Sequence, residues 1–372
     1  MNDLVWLKIS AVSTPLKWLR LSVYWTARSR HGLPSEERLC SSEVATWHCR
    51  RSSQLLMCMH HKDAVVPVVL PALLRALVLL LLAAATVLPA QAQQQVGVES
   101  RFADVNGTRL HYLVAGQGAP VILLHGYTQT SHMWRPLIAA LAKTHTVLAP
   151  DLRGAGQSAK PPQGYEKKTM AQDIHALALS LGHRRVQLVG HDIGLMVAYA
   201  YAAQYPAEVA RIALMDAFLP GIGDWQHVWL LRDMWHFHFY GEVPLQLVAG
   251  RERTYFEHFW NDFAADRTHS VPEDDRRLYA AAYAQPEGMR AGFDYFRAFE
   301  QDAADFQRFS QAKLPMPMLV LTGEKASGEF LIQQGRLVAD EVEGVVVKNA
   351  GHWLMEEAPD QVIPTLVTFI NR

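Results

Sequence analysis

Cysteine is scarce in this chain. There are three in 372 residues, Cys40, Cys49 and Cys58, and none after them. From residue 59 onward this excludes a disulfide framework, a cysteine metal site and a cysteine nucleophile. An excess of either charge is also lacking, because the formal net charge is −1. No basic stripe runs along the sequence, which argues against nucleic acid as a partner, and no polybasic tail points to a membrane surface. Repeats and low-complexity tracts are absent. His236 and His238 stand two residues apart without further ligands at metal-site spacing, so neither a metal nor another cofactor is expected. The longest apolar run, Ala76 to Leu88, is short for a membrane span and gives way to Pro89 and alanines.

That run has a different explanation. Arg75 ends an n-region, Ala76–Leu88 is an apolar segment, and Ala90-Gln91-Ala92 is an A-x-A cleavage site. Residues 59–92 therefore read as a signal peptide, with Met59-His60-His61-Lys62 at its start. Residues 1–58 mix Trp, Arg, Ser and Cys without a sustained period and read as a non-native extension from a misassigned start, translation beginning at Met59 or Met57. The expected mature protein is exported, periplasmic or secreted, and has no stable membrane span once the signal is removed. A cysteine-free chain suits an oxidising compartment.

The most informative stretch is Val189-Gly190-His191-Asp192-Ile193-Gly194. An apolar strand-like run, Val186–Val189, leads into it, and an Ala-rich helical run, Leu195–Ala203, leaves it. Glycines two residues either side of Asp192 suit a sharp strand-to-helix turn that lifts the central residue above a sheet. A carboxylate there can attack an sp3 carbon, open a strained ring or displace a leaving group, and leave an ester that water must cleave. The alternative is a helix N-cap, which Asp also favours.

Other segments favour the first reading. Val121–Leu124 runs into His125-Gly126-Tyr127, where a backbone N–H can face the site. With the residue after the nucleophile, this nominates the N–H groups of Tyr127 and Ile193 as an oxyanion hole. Val345–Val347 leads into Gly351-His352, a late loop suited to a general base. The base needs an orienting carboxylate. Asp216 follows the strand-like Ile212–Met215 and is preferred over the alternative, Glu324, which follows Met318–Thr322.

The organisation is legible. Phe102–Leu113 reads as a hairpin about Asn106-Gly107. Strand-like runs at 121–124, 146–149, 186–189, 212–215, 318–322 and 343–348 alternate with helical stretches. This argues for an α/β fold with a mostly parallel sheet flanked by helices. Between Leu219 and Lys313 the strand rhythm stops, and the segment is crowded with aromatics. We expect a core of residues 99–218 and 314–372, with 219–313 inserted as a helical cap. Most aromatics of the cap are expected to pack and only a minority to line a pocket.

Together these motifs resemble the α/β-hydrolase superfamily, and within it the Cif-like bacterial epoxide hydrolases. The resemblance runs from about Phe102 to the C-terminus. It rests on His125–Thr130, Ala149–Ser158, His191–Gly194, Met215–Ala217, Trp235–Phe239, Phe293–Ala298 and Gly351–Leu354. It implies that Asp192 is the nucleophile, His352 the base, Asp216 the acid, and His236 one of two cap donors that grip the epoxide oxygen. There are two departures. The acid is often glutamate in the family, and the position just before Arg297, usually tyrosine, is Phe296. Tyr295 is the adjacent hydroxyl and is taken as the second donor, one residue, or about 100° of helix, out of register.

The implied activity is hydrolysis of epoxides to diols through an Asp192 ester cut by His352-activated water. The substrate is expected to be small and apolar, and a homo-oligomer stays open. Haloalkane or haloacetate dehalogenation with the same Asp, His and acid is the alternative. Dehalogenases resembling this fold place a tryptophan or arginines just after the aspartate, where this chain has Ile193, Leu195 and Met196. A non-catalytic binding protein on the same fold is a weaker reading, because nucleophile, base, acid and oxyanion turn occur together.

Overall fold

The computed structural model of the protein describes residues 97–372. The expected extension, the signal peptide and all three cysteines lie outside the described residues.

Eight strands form one sheet: β1 Glu99–Val105, β2 Thr108–Ala115, β3 Ala119–Leu124, β4 His145–Pro150, β5 Val186–His191, β6 Val209–Met215, β7 Met318–Gly323 and β8 Val342–Val347. Their order is β1-β2-β4-β3-β5-β6-β7-β8. β1 and β2 pair antiparallel, as do β2 and β4, and every later pairing is parallel. The hairpin turns where expected. Asn106 and Gly107 both take positive φ (46° and 72°), and Val105 faces Thr108. That is the geometry a two-residue turn needs to match strand twist.

β5 and β7 are buried along their whole length. Since successive side chains face opposite sides, both faces of the sheet are covered there. The covering helices are α1 Arg135–Leu141, α2 Lys167–Ser180, α3 Ile193–Gln204, α10 Glu329–Val338, α11 Leu354–Glu357 and α12 Pro359–Ile370. α3 is apolar all round and sealed inside, packed on β5, β6 and α2.

The sheet is interrupted between β6 and β7. The inserted chain holds α4 Trp225–Trp229, a 3₁₀ segment Arg232–His238, then α5 Glu242–Val248, α6 Glu252–Asp262, α7 Glu273–Tyr283, α8 Gly288–Arg297 and α9 Phe299–Phe309. Among the described residues no strand falls in this cap. A fully buried ion pair joins it to the core: Lys167 of α2 meets Asp302 of α9 at 2.7 Å and also donates to the Tyr295 carbonyl.

Candidate active site

Asp192 sits on the tip of the turn between β5 and α3 with φ 51° and ψ −122°, an unusual backbone conformation for a residue with a side chain. It occupies the N-cap position but makes no side-chain capping bond. Its Oδ2 instead accepts the Tyr127 N–H at 2.7 Å. The capping alternative is thus not what the side chain does. Three glycines permit this crowding. A Cβ at Gly190 would lie 2.3 Å from the Gly194 carbonyl oxygen, one at Gly194 2.1 Å from that of Leu124, and one at Gly126 2.4 Å from the Asp192 Cβ.

His352 lies on the loop after β8, and its Nδ1 pairs with Asp216 Oδ2 at 2.9 Å. Asp216, at the end of β6, also has positive φ (32°). Its other oxygen accepts the Gly323 N–H, the Ser327 N–H and the Ser327 hydroxyl. The carboxylate is therefore held from both sides and aimed at the imidazole. Glu324, the alternative acid, is exposed and bonded to Lys348 and the Asn349 N–H, so the structure brings Asp216, not Glu324, to His352.

Asp192, Asp216 and His352 line one cavity of about 510 Å³ between sheet and cap. Its remaining walls are largely apolar. Phe237, Phe259, Phe263, Phe296 and Phe299 come from the cap, and Met196, Phe218, Phe330 and Trp353 from the core. His236 enters from the cap wall. Its ring is buried, and its Nδ1 has no partner. His238 points elsewhere, with its Nε2 on the Trp229 carbonyl.

Tyr295 requires a correction. Its hydroxyl donates to the Arg153 carbonyl at 2.6 Å, and the side chain is fully buried away from the cavity. On α8 it is Phe296 that faces the cavity. A step of one residue turns the side chain by about 100°, which carries the phenol out of reach. The second oxygen donor expected there is replaced by a hydrocarbon ring.

The α/β hydrolase fold family profile matches residues 119–359. The chain belongs to the α/β-hydrolase fold family. This α/β hydrolase is 34% identical over 272 residues to a soluble epoxide hydrolase of Corynebacterium sp. (strain C12), covering 71% of this chain and 94% of that protein. It is 27% identical over 292 residues to a fluoroacetate dehalogenase of Burkholderia sp., covering 74% and 94%. The crystal structure of the Cif epoxide hydrolase from Acinetobacter nosocomialis matches with a TM-score of 0.68 at 22% identity, over 83% of this chain and all of that one, a likeness of fold.

The electrostatics of the hydrolase site follow from its burial. Burial pushes the Asp192 carboxyl above the usual carboxylate value, against the charge of His352 and the N–H groups of Tyr127 and Ile193, which favour the anion. Burial also opposes charge on His352, but the Asp216 hydrogen bond and the charges of Asp216 and Asp192 outweigh it and leave its pKa raised. His236 has no such partner. Burial, reinforced by neighbouring histidines, holds its pKa well below the ordinary value, so it is neutral.

Sequence reading missed the residues that hold the site together. The His191 ring meets the His352 carbonyl at 2.9 Å. Glu357 accepts the N–H groups of Ala265, Gly351 and Trp353, tying the histidine loop to the cap. Gln129 and Glu356 bond beneath the oxyanion turn at 2.7 Å. The His191, Ala265 and Gln129 contacts join segments far apart in sequence, and no local pattern announces them.

Proposed function

We propose that this α/β hydrolase opens epoxides to diols. The observation that carries the reading is the placement of a carboxylate, a carboxylate-paired imidazole and an opposing neutral imidazole on the walls of one apolar cavity. Asp192 attacks a ring carbon, the C–O bond breaks, and the oxygen takes a proton from the His236 Nε2. His352 then removes a proton from water, and the resulting hydroxide attacks the Asp192 ester carbonyl, with the oxyanion facing the N–H groups of Tyr127 and Ile193. Asp216 orients His352 and stabilises its cation. The soluble epoxide hydrolase among its relatives supports this reading.

The dehalogenase relative motivates a second reading with the same aspartate. A haloacetate carries a carboxylate that needs cations beside it. Among the described residues lining the cavity, Lys325 is the one side chain with a fixed positive charge, and Asp262 adds a negative one. That composition favours a neutral substrate.

Removing the base should trap the ester. Mass spectrometry of His352→Gln with excess epoxide is expected to show one adduct on the Asp192 peptide, and Asp192→Ala should be inactive. An adduct mapped elsewhere, or turnover by Asp192→Ala, rules the assignment out.

A further inference from the structure

With Phe296 at the cavity wall, the ring oxygen has one side-chain donor, and a neutral histidine holds a single proton. Something must replace that proton. Behind His236 stands His258 of α6, with ring centroids 6.3 Å apart. The His236 Nδ1 and the His258 Nε2 are both buried, and neither has a hydrogen-bond partner. Two neighbouring rings that each bury an unpaired nitrogen are unusual, because buried polar atoms are nearly always satisfied. One bridging water, or a small rotation of either ring, would join them. The far side of His258 is anchored. Its Nδ1 meets Asp262 Oδ2 at 2.8 Å, and Asp262 Oδ1 accepts from Arg267. Trp235 lies against the His258 ring at 5.0 Å and holds it beside His236.

We propose that Asp262 and His258 act as a proton relay behind His236, positioning it as an acid and restoring its proton when the epoxide oxygen leaves. The inference rests on the epoxide reading above. As the C–O bond breaks, its electron pair goes to oxygen, and the oxygen takes the His236 Nε2 proton. His236 Nδ1 takes a proton from His258 Nε2, and His258 keeps its Nδ1–H on the Asp262 carboxylate. The proton that His352 later removes from water is released to solvent, and one solvent proton re-enters at His236 Nε2 as the Nδ1–H returns to His258 Nε2, so the cycle balances as epoxide plus water to diol. His258 and Asp262 do not touch the reacting atoms. Asp262 also reaches the cavity wall, but in the relay both are positioning residues that act through His236, and the remaining titratable or charged groups near the pair are Arg267, His238 and His352.

A relay of this kind matters more for a more basic leaving oxygen, which separates it from simple support. In the His352→Gln background, the rate of Asp192 ester formation is measured by mass spectrometry with 1,2-epoxybutane and with epichlorohydrin. The two differ by a methyl group against a chlorine of similar size, but the chloride makes the leaving alkoxide less basic. His258→Gln and Asp262→Asn are each expected to slow epoxybutane about tenfold or more, and epichlorohydrin several-fold less. Asp262 is partly exposed, so its variant folds even if the His258 variant does not. Equal slowing of both substrates reduces the pair to structural support and overturns the relay, as does no slowing at all. Failure of the His352→Gln parent to form any ester removes the covalent reading itself, a result distinguishable from the other two.

Discussion

At the scale of residues, the proposed chemistry depends on two carboxylates held in positive-φ backbone, Asp192 and Asp216. Both were legible in the sequence, because glycine spacing and strand ends are local signals. The raised pKa values of Asp192 and His352 set the direction of the pH response. Asp192 must be ionised to attack, and His352 must be neutral to take a proton from water. Each function is lost as pH falls through a raised value, so alkylation is expected to fail on the acid side as Asp192 is protonated, and ester hydrolysis to fail as His352 is protonated, with the hydrogen bond and charge of Asp216 still raising its pKa there. Asp216→Asn removes the main support of the His352 cation. Single-turnover hydrolysis of the isolated ester should then show its acid limb at lower pH and a rate cut of about 10³-fold or more, given the 10⁴-fold loss for the equivalent change in a serine protease. An unchanged limb would mean that Asp216 does not control His352. Tyr295 shows where residue-level reading fails. Its identity was visible, but its direction was set by the helix register and by the Arg153 carbonyl that accepts its hydrogen bond.

At the scale of elements, β3 to β8 were each announced by an apolar run, as strands of a parallel sheet covered on both faces tend to be, and β1 and β2 by the Asn106-Gly107 turn between them. The cap gave no such clarity. Its helices carry aromatics on several faces, and only packing against other cap helices decides which ring sees the cavity. One contact between cap and core is both buried and charged. Lys167 and Asp302 have no exposed side-chain surface. Burial drives the lysine pKa down, and it drives the aspartate up to about 6 against the attraction of Lys167. Lys167→Met leaves a buried carboxyl without its partner and is expected to destabilise the protein by about 3–5 kcal/mol. The double variant Lys167→Met/Asp302→Leu should regain most of that loss. Urea unfolding measures both, and a double variant no more stable than the single would show that the pair itself, rather than the orphaned charge, sets the cost.

At the scale of the whole molecule, the order of motifs along the chain pointed to the fold class, because Asp192, Asp216 and His352 follow β5, β6 and β8, whose carboxyl ends lie along one side of the same sheet. The reading of the first 92 residues is a separate matter. Protein recovered from the native host is expected to begin at Gln93, an outcome that intact mass decides, and material that retains residues 1–58 would refute the misassigned start. The glycine collar around Asp192 has a consequence of a different kind. A methyl group at position 126, 190 or 194 collides with backbone or with the nucleophile itself. The turn that carries Asp192 thus has no room for a side chain at any of these three positions. Whatever tunes this cavity toward one substrate or another must come from residues outside that collar, the cap wall among them.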